Sequence, residues 1–214
     1  MLKLYSYWRS TAAYRVRIAL NLKGLAYQTI PIHLVKDGGE QHQAEYKALN
    51  PQGLVPALLI ESGEIINQSM AIMEYLEEAY PDNAILPTGT LARAQTRAMA
   101  QMIVADIHPL NNLRVLKVLK KTWNQSQVDD WYAHWIHEGF TALEAMLKGS
   151  NLRFMNESYP CVSDICLVAQ VYNANRFNVA LDNYPRLLEI NQRCLELPAF
   201  KSARPEAQLS EIAG

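Results

Sequence analysis

Apolar and polar positions alternate over Leu2-Lys-Leu-Tyr-Ser-Tyr7, and a little further on Val16, Ala19 and Leu20 fall on one helical face. The chain therefore opens as strand, turn and helix, with Gly24 placed to end the helix. Tyr27 to Pro31 reads as a second strand. Residues 33–41, which contain Lys36-Asp-Gly-Gly39, form a turn-rich loop, and a short helical piece follows at 43–49. Two brief strands at 57–61 and 64–66 are joined by Ser62-Gly63 as a hairpin. A helix over 68–80 then turns Ile72, Met73 and Leu76 inward and stops at Pro81. From Thr90 the apolar spacing changes to threes and fours, which predicts helices at 91–106, 115–121, 128–147, 163–177 and 185–195, with a loop at 153–160. Pro109 should bend or end the first of these, just after His108. The pattern divides the chain into an α/β unit over 1–81, a proline-bounded linker at 82–88 and an all-helical domain over 89–214.

Composition narrows the function. Half of the 214 residues are hydrophobic, enough for a sizeable core. Twenty basic against twenty-one acidic residues leave a net charge of −1, so no global field favours nucleic acid or an anionic membrane, and any anion must be held by local groups. Charge interrupts every apolar run short of a membrane span, and the N-terminus lacks the pattern of a secretory signal, which places the protein in the cytoplasm by expectation. The three cysteines, Cys161, Cys166 and Cys194, are odd in number and include no C-x-x-C pair, so they are expected to be reduced and buried. His134 and His137 lie three apart without a companion ligand set, and no metal site is expected. The sequence contains no G-x-S-x-G elbow and no glycine-rich phosphate loop, and the chain lacks an evident nucleophile of its own.

The candidate chemistry lies at two helix starts. Ser10 and Thr11 stand beside the first amides of the first helix, and Gln68 and Ser69 occupy the same place in a second strand-to-helix turn. Such amides attract carboxylates and thiolates, but a hydroxyl there is equally an N-cap. Pro56 precedes a strand: a cis bond would turn the Val55 backbone outward to a ligand, and a trans bond would merely open an edge strand.

Tyr5-Ser-Tyr-Trp-Arg-Ser10 with Arg15-Val-Arg-Ile-Ala-Leu20, Lys36-Asp-Gly-Gly39, Leu49-Asn-Pro51 with Val55-Pro56, Gln68-Ser69, Pro109-Leu110 with Asn112-Leu113, and Cys166-Leu-Val168 through Arg176-Phe177 occur in one order along the chain. In that order they resemble the zeta class of the cytosolic glutathione transferases, over nearly the whole length. The resemblance implies an N-terminal thioredoxin-like domain followed by a C-terminal all-helical domain, a homodimer, and glutathione as cofactor. It implies a glutathione-dependent cis–trans isomerase of aromatic amino acid catabolism, converting maleylacetoacetate to fumarylacetoacetate. In that reaction a thiol adds to the conjugated cis bond, the bond rotates and the thiol leaves.

Carried over position by position, the resemblance puts glutathione at Ser10, Thr11, Ala12, Ala13, Tyr14 and Arg15, at Gln41, at the Val55 backbone, at Gln68 and Ser69, and at His108, Asn112 and Arg114. Ser10 and Thr11 are the catalytic candidates. Arg9 and Arg176 are the cations for a dicarboxylate substrate, although Arg176 is equally read as a surface arginine. Two departures stand out: Ser10-Thr11-Ala12 replaces the family's common Ser-Ser-Cys, and Cys161 occupies the cap of the Cys161-Val-Ser-Asp164 helix start where the family has Ser or Thr. Other readings of the same residues are a maleylpyruvate isomerase, a general glutathione-conjugating transferase, and a transferase-like binding module without enzymatic activity.

Overall fold

The computed structural model describes residues 1–209 and divides into two compact units, Met1–Ile85 together with the segment from Glu196, and Leu86–Leu195. In the first unit, strands β1 (Leu2–Ser6), β2 (Tyr27–Pro31), β3 (Ala57–Leu59) and β4 (Ile65–Asn67) form one sheet in the order β2-β1-β3-β4. β1 and β2 are parallel, and the β1–β3 and β3–β4 pairs are antiparallel. This is the thioredoxin-like arrangement expected from strand, helix, strand, hairpin and helix. Helices α1 (Thr11–Leu22) and α3 (Ser69–Ala79) pack together, and the short α2 (Ala44–Leu49) follows two 3₁₀ turns in the loop at 36–42. Leu4, Val16, Ile18, Leu20, Leu58, Ile72 and Leu76 are wholly buried and make the core of this unit.

Two buried cations hold the unit's periphery. Arg17 is fully buried and donates from Nε to the Ala203 carbonyl at 3.0 Å, from Nη1 to Ser6 Oγ at 3.1 Å and from Nη2 to the Trp8 carbonyl at 3.0 Å. It thereby fastens helix α9 (Pro198–Ala203) against α1 and steadies the turn that precedes Ser10. The sequence reading places everything from residue 89 onward in the helical domain; the structure differs here, because the α1 face needs a cover and Arg17 needs carbonyl acceptors. Lys23 pairs with Glu77 at 3.0 Å and donates to the Tyr80 carbonyl at 2.8 Å, which satisfies a charge that burial would otherwise penalise.

The second unit is helical: α4 (Thr90–Gln101), α5 (Leu113–Leu119), α6 (Gln125–Met146), α7 (Val162–Arg176) and α8 (Pro185–Glu196). α4 does not continue to 106 as an α-helix. It passes into a π-helical stretch, Met102–Ile107, and then a 3₁₀ turn, His108–Leu110, closed off around Pro109. A capping box of Asn124 and Gln127 starts α6. α7 is buried from Val162 to Ala174 except Tyr172, which makes it the axis of this unit. Its start is held by Asp164, whose carboxylate accepts from the Cys161 amide at 2.8 Å and the Met155 amide at 2.9 Å, while the Cys161 sulfur fills the serine half of the box.

Candidate functional site

Ser10 is the N-cap of α1: its Oγ accepts from the Ala13 amide at 3.2 Å, which leaves the hydroxyl proton to donate outward. The N-cap and ligand readings of this serine are thus compatible, since one uses a lone pair and the other the proton. Ser10 is partly exposed, whereas Thr11 is 6% exposed, so of the two residues Ser10 offers a ligand more surface at the helix start. Ala13, Tyr14 and Arg15 are buried, and what they offer a ligand is the backbone at the positive end of the helix.

Arg15 links the two helix starts that the sequence shows separately. At 1% exposure its Nη1 donates to Ser69 Oγ at 3.1 Å, so a guanidinium charge stands behind the first turn of α3. Its place is beneath the surface, as a fixed positive charge. Gln68, at the N-cap of α3 with φ 69°, donates from Nε2 to Gln52 Oε1 at 2.8 Å.

The loop that carries Val55 is set by contacts that the sequence does not announce. Tyr46 Oη and Asn50 Nδ2 both donate to the Leu54 carbonyl, at 2.6 Å and 2.7 Å, and burial pushes the Tyr46 phenol up to about 12, so it stays a donor. Gly53 takes φ +61°, and a Cβ there would stand 2.9 Å from the Gln41 carbonyl, so only glycine lets this loop approach Gln41. The Asn50-Pro-Gln-Gly53 turn was the available signal. The Val55–Pro56 peptide is cis and Val55 is buried. Gln41 donates weakly to the Leu34 carbonyl at 3.4 Å, while its Oε1 is a buried acceptor with no partner among the described residues, as is Oδ1 of Asn67. Arg9 is exposed, with its guanidinium 4.1 Å from the Trp8 ring.

In the second unit His108 opens the 3₁₀ turn that follows the π-helical stretch, and Asn112 caps α5, its Oδ1 accepting from the Arg114 and Val115 amides at 3.0 Å and 3.1 Å. Arg114 is exposed in the first turn of α5. Arg176 ends α7, exposed, with its guanidinium 4.9 Å from the Phe177 ring, and Phe177 in turn stacks on Tyr132 at 4.1 Å. The cysteines Cys161, Cys166 and Cys194 are thiols outside any disulfide and are buried, and burial raises the Cys194 thiol well above its ordinary range. Among the described residues no three His, Cys, Asp or Glu side chains converge as a metal site, and no helix is long and apolar enough to cross a membrane.

A thioredoxin-like sheet, a proton-bearing serine at the start of α1 and a second helix start backed by a buried arginine are the parts of a glutathione-binding unit. The sequence profile of the glutathione S-transferase N-terminal domain matches residues 9–79. The chain belongs to the glutathione S-transferase family. Over 209 residues, 97% of either chain, it is 47% identical to maleylacetoacetate isomerase of Pseudomonas aeruginosa. It superposes with a TM-score of 0.92, at 43% identity, on the holo structure of a bacterial zeta-class maleylpyruvate isomerase, covering 96% of this chain and 98% of that one. A third likeness, at 36% identity and a TM-score of 0.90 over 95% and 96% of the two chains, is to maleylacetoacetate isomerase of Methylobacterium extorquens AM1 with bound malonate and glutathione. Within the family, then, the chain is a zeta-class member of the maleylacetoacetate isomerase group.

The residues present fit glutathione. The spare Ser10 proton suits a thiolate, the orphaned Gln41 and Asn67 oxygens suit N–H donors, and the Arg15-backed start of α3 suits a carboxylate.

Proposed function

We propose that this chain is a glutathione-dependent cis–trans isomerase that converts maleylacetoacetate to fumarylacetoacetate, working as a cytoplasmic homodimer. The observation that carries the reading is Ser10: a hydroxyl whose acceptor side is used by the Ala13 amide and whose proton is free, at a helix N-terminus, in a chain whose own thiols are buried. Glutathione, when bound, supplies the thiolate that adds reversibly to the conjugated double bond. The protein's part is to stabilise and orient charge. Ser10 and the amides of Thr11 and Ala12 hold negative charge on sulfur, and the Val55 backbone and Gln41 align the tripeptide. Ser69, backed by Arg15, takes a carboxylate beside Gln68, and His108, Asn112 and Arg114 complete the glutathione contacts. Arg9 and Arg176 neutralise the dicarboxylate substrate. A free thiol is only a few per cent thiolate at neutral pH, and a donor plus a helix N-terminus brings its pKa into the working range.

The test is a spectrophotometric assay of maleylacetoacetate with and without glutathione, with total thiol measured alongside. Turnover should require glutathione and leave the thiol total unchanged. Thiol loss with a chloro-aromatic and no turnover of the dicarboxylate would make the protein a conjugating transferase. The likeness to a maleylpyruvate isomerase favours that activity as the second reading, and the ratio of kcat/KM for the two substrates separates them. Arg176→Met should raise KM for the dicarboxylate about tenfold, as loss of one charge-assisted hydrogen bond does, with KM for glutathione unchanged. An unchanged dicarboxylate KM would return Arg176 to the surface.

A further inference from the structure

α6 runs 22 residues and contains one glycine, Gly139, in its interior. Glycine is the poorest helix former after proline, so its place there calls for a reason. A Cβ built on Gly139 would stand 2.5 Å from Cγ1 of Ile107 and closer still to Cδ1. Ile107 is the last residue of the π-helical stretch Met102–Ile107, is 1% exposed, and belongs to a segment packed on both α6 and α7. Cγ1 and Cδ1 are outer atoms of a branched side chain, and at 1% exposure Ile107 has little free space to turn into. A methyl at 139 therefore presses on the Ile107 side chain and, through it, on the π-helical stretch that carries it. The residue that follows Ile107 is His108.

We propose that Gly139 is a positioning residue for His108: the missing side chain on α6 admits Ile107, Ile107 lets the helix widen into a π turn, and the π turn sets where the His108 imidazole is presented. Extra-residue turns of this kind recur at functional sites because they re-aim the side chains that follow. The inference rests on the reading of His108 as a glutathione contact.

Gly139→Ala should raise the Kd for glutathione about tenfold, the loss expected for one hydrogen bond to a charged ligand, with kcat at saturating glutathione within about twofold of wild type. The double variant Gly139→Ala with Ile107→Ala removes both clashing carbons and should recover glutathione affinity even though its melting temperature falls. That separation is one a purely structural glycine would not produce. The His108 imidazole resonances should shift in the single variant and return in the double. His108→Ala is the control. If it leaves glutathione affinity unchanged, the parent reading of His108 fails. If it weakens binding while Gly139→Ala lowers only the melting temperature, the positioning role is overturned. Should Gly139→Ala alone not fold, the double variant decides: wild-type affinity supports the proposal, and a loss as large as that of His108→Ala overturns it.

Discussion

Ser10→Ala should lower kcat/KM for isomerisation about a hundredfold or more, the effect of deleting one donor aimed at a developing or standing negative charge, while costing the fold only about 1 kcal/mol, the usual cost of losing a serine N-cap. The two effects separate because the hydroxyl serves two partners through different atoms. Its lone pair takes the Ala13 amide at 3.2 Å, and its proton remains to be donated to a ligand. Removing it should return the thiol of bound glutathione toward its free pKa, which titration of thiolate absorbance in the complex would show. Activity within threefold of wild type, together with a lowered melting temperature, would make Ser10 a cap and nothing more. Thr11→Ala, at a position 6% exposed, should change rate far less.

Asp164→Ala should be the most damaging single change to stability, by about 3–5 kcal/mol, or roughly 10 °C in melting temperature for a chain of this size. It orphans two buried amides at once, those of Cys161 and Met155, at the start of the helix on which the second unit is built. Asp164→Asn keeps one acceptor oxygen and should cost about half as much. The carboxyl also carries a pH signature. Burial outweighs the amide donors and pushes it from the ordinary 3.8 up to about 6. The folded protein then holds this proton more tightly than the unfolded chain does. The contribution of the group is fully present below about pH 4 and is lost as pH rises to about 6, a change of about 3 kcal/mol. Chemical denaturation of wild type and Asp164→Asn across that range should show wild type losing stability relative to the variant. A constant difference would mean that the amide donors keep the carboxylate ionised throughout.

The element order was legible from the chain because each element announces itself locally. The alternation over Leu2 to Ser6, the Ser62-Gly63 hairpin turn and Pro81 after α3 all act within a few residues, and the observed elements match the predicted ones to within a residue or two there. The same holds for Ser10 and Ser69, because a hydroxyl between strand and helix is a local pattern. Where distant segments decide, the reading fell short. The spacing predicts one helix to 106, since a 3.6-residue period cannot register the extra residue of a π turn whose last side chain, Ile107, packs against Gly139, more than thirty residues on. The spacing predicts no element at 198–203 and leaves that segment in the helical domain, since nothing in Pro198 to Ala203 tells that Arg17 will hold the Ala203 carbonyl.

By itself the sequence determined the strand and helix order, the hydroxyls at the two helix starts, the absence of a ligand pattern for a metal, and the string of motifs that marks the zeta class. Tertiary structure decided that Ser10 is more exposed than Thr11, that Arg15 is buried with its guanidinium on Ser69 instead of at the surface, that Gly53 brings the Val55 loop against Gln41, and which unit α9 joins. The physical reason is one of range. Periodicity, caps and turns are fixed by neighbours along the chain, whereas burial of a charge or the fit of a missing side chain is fixed by whatever the fold brings against it.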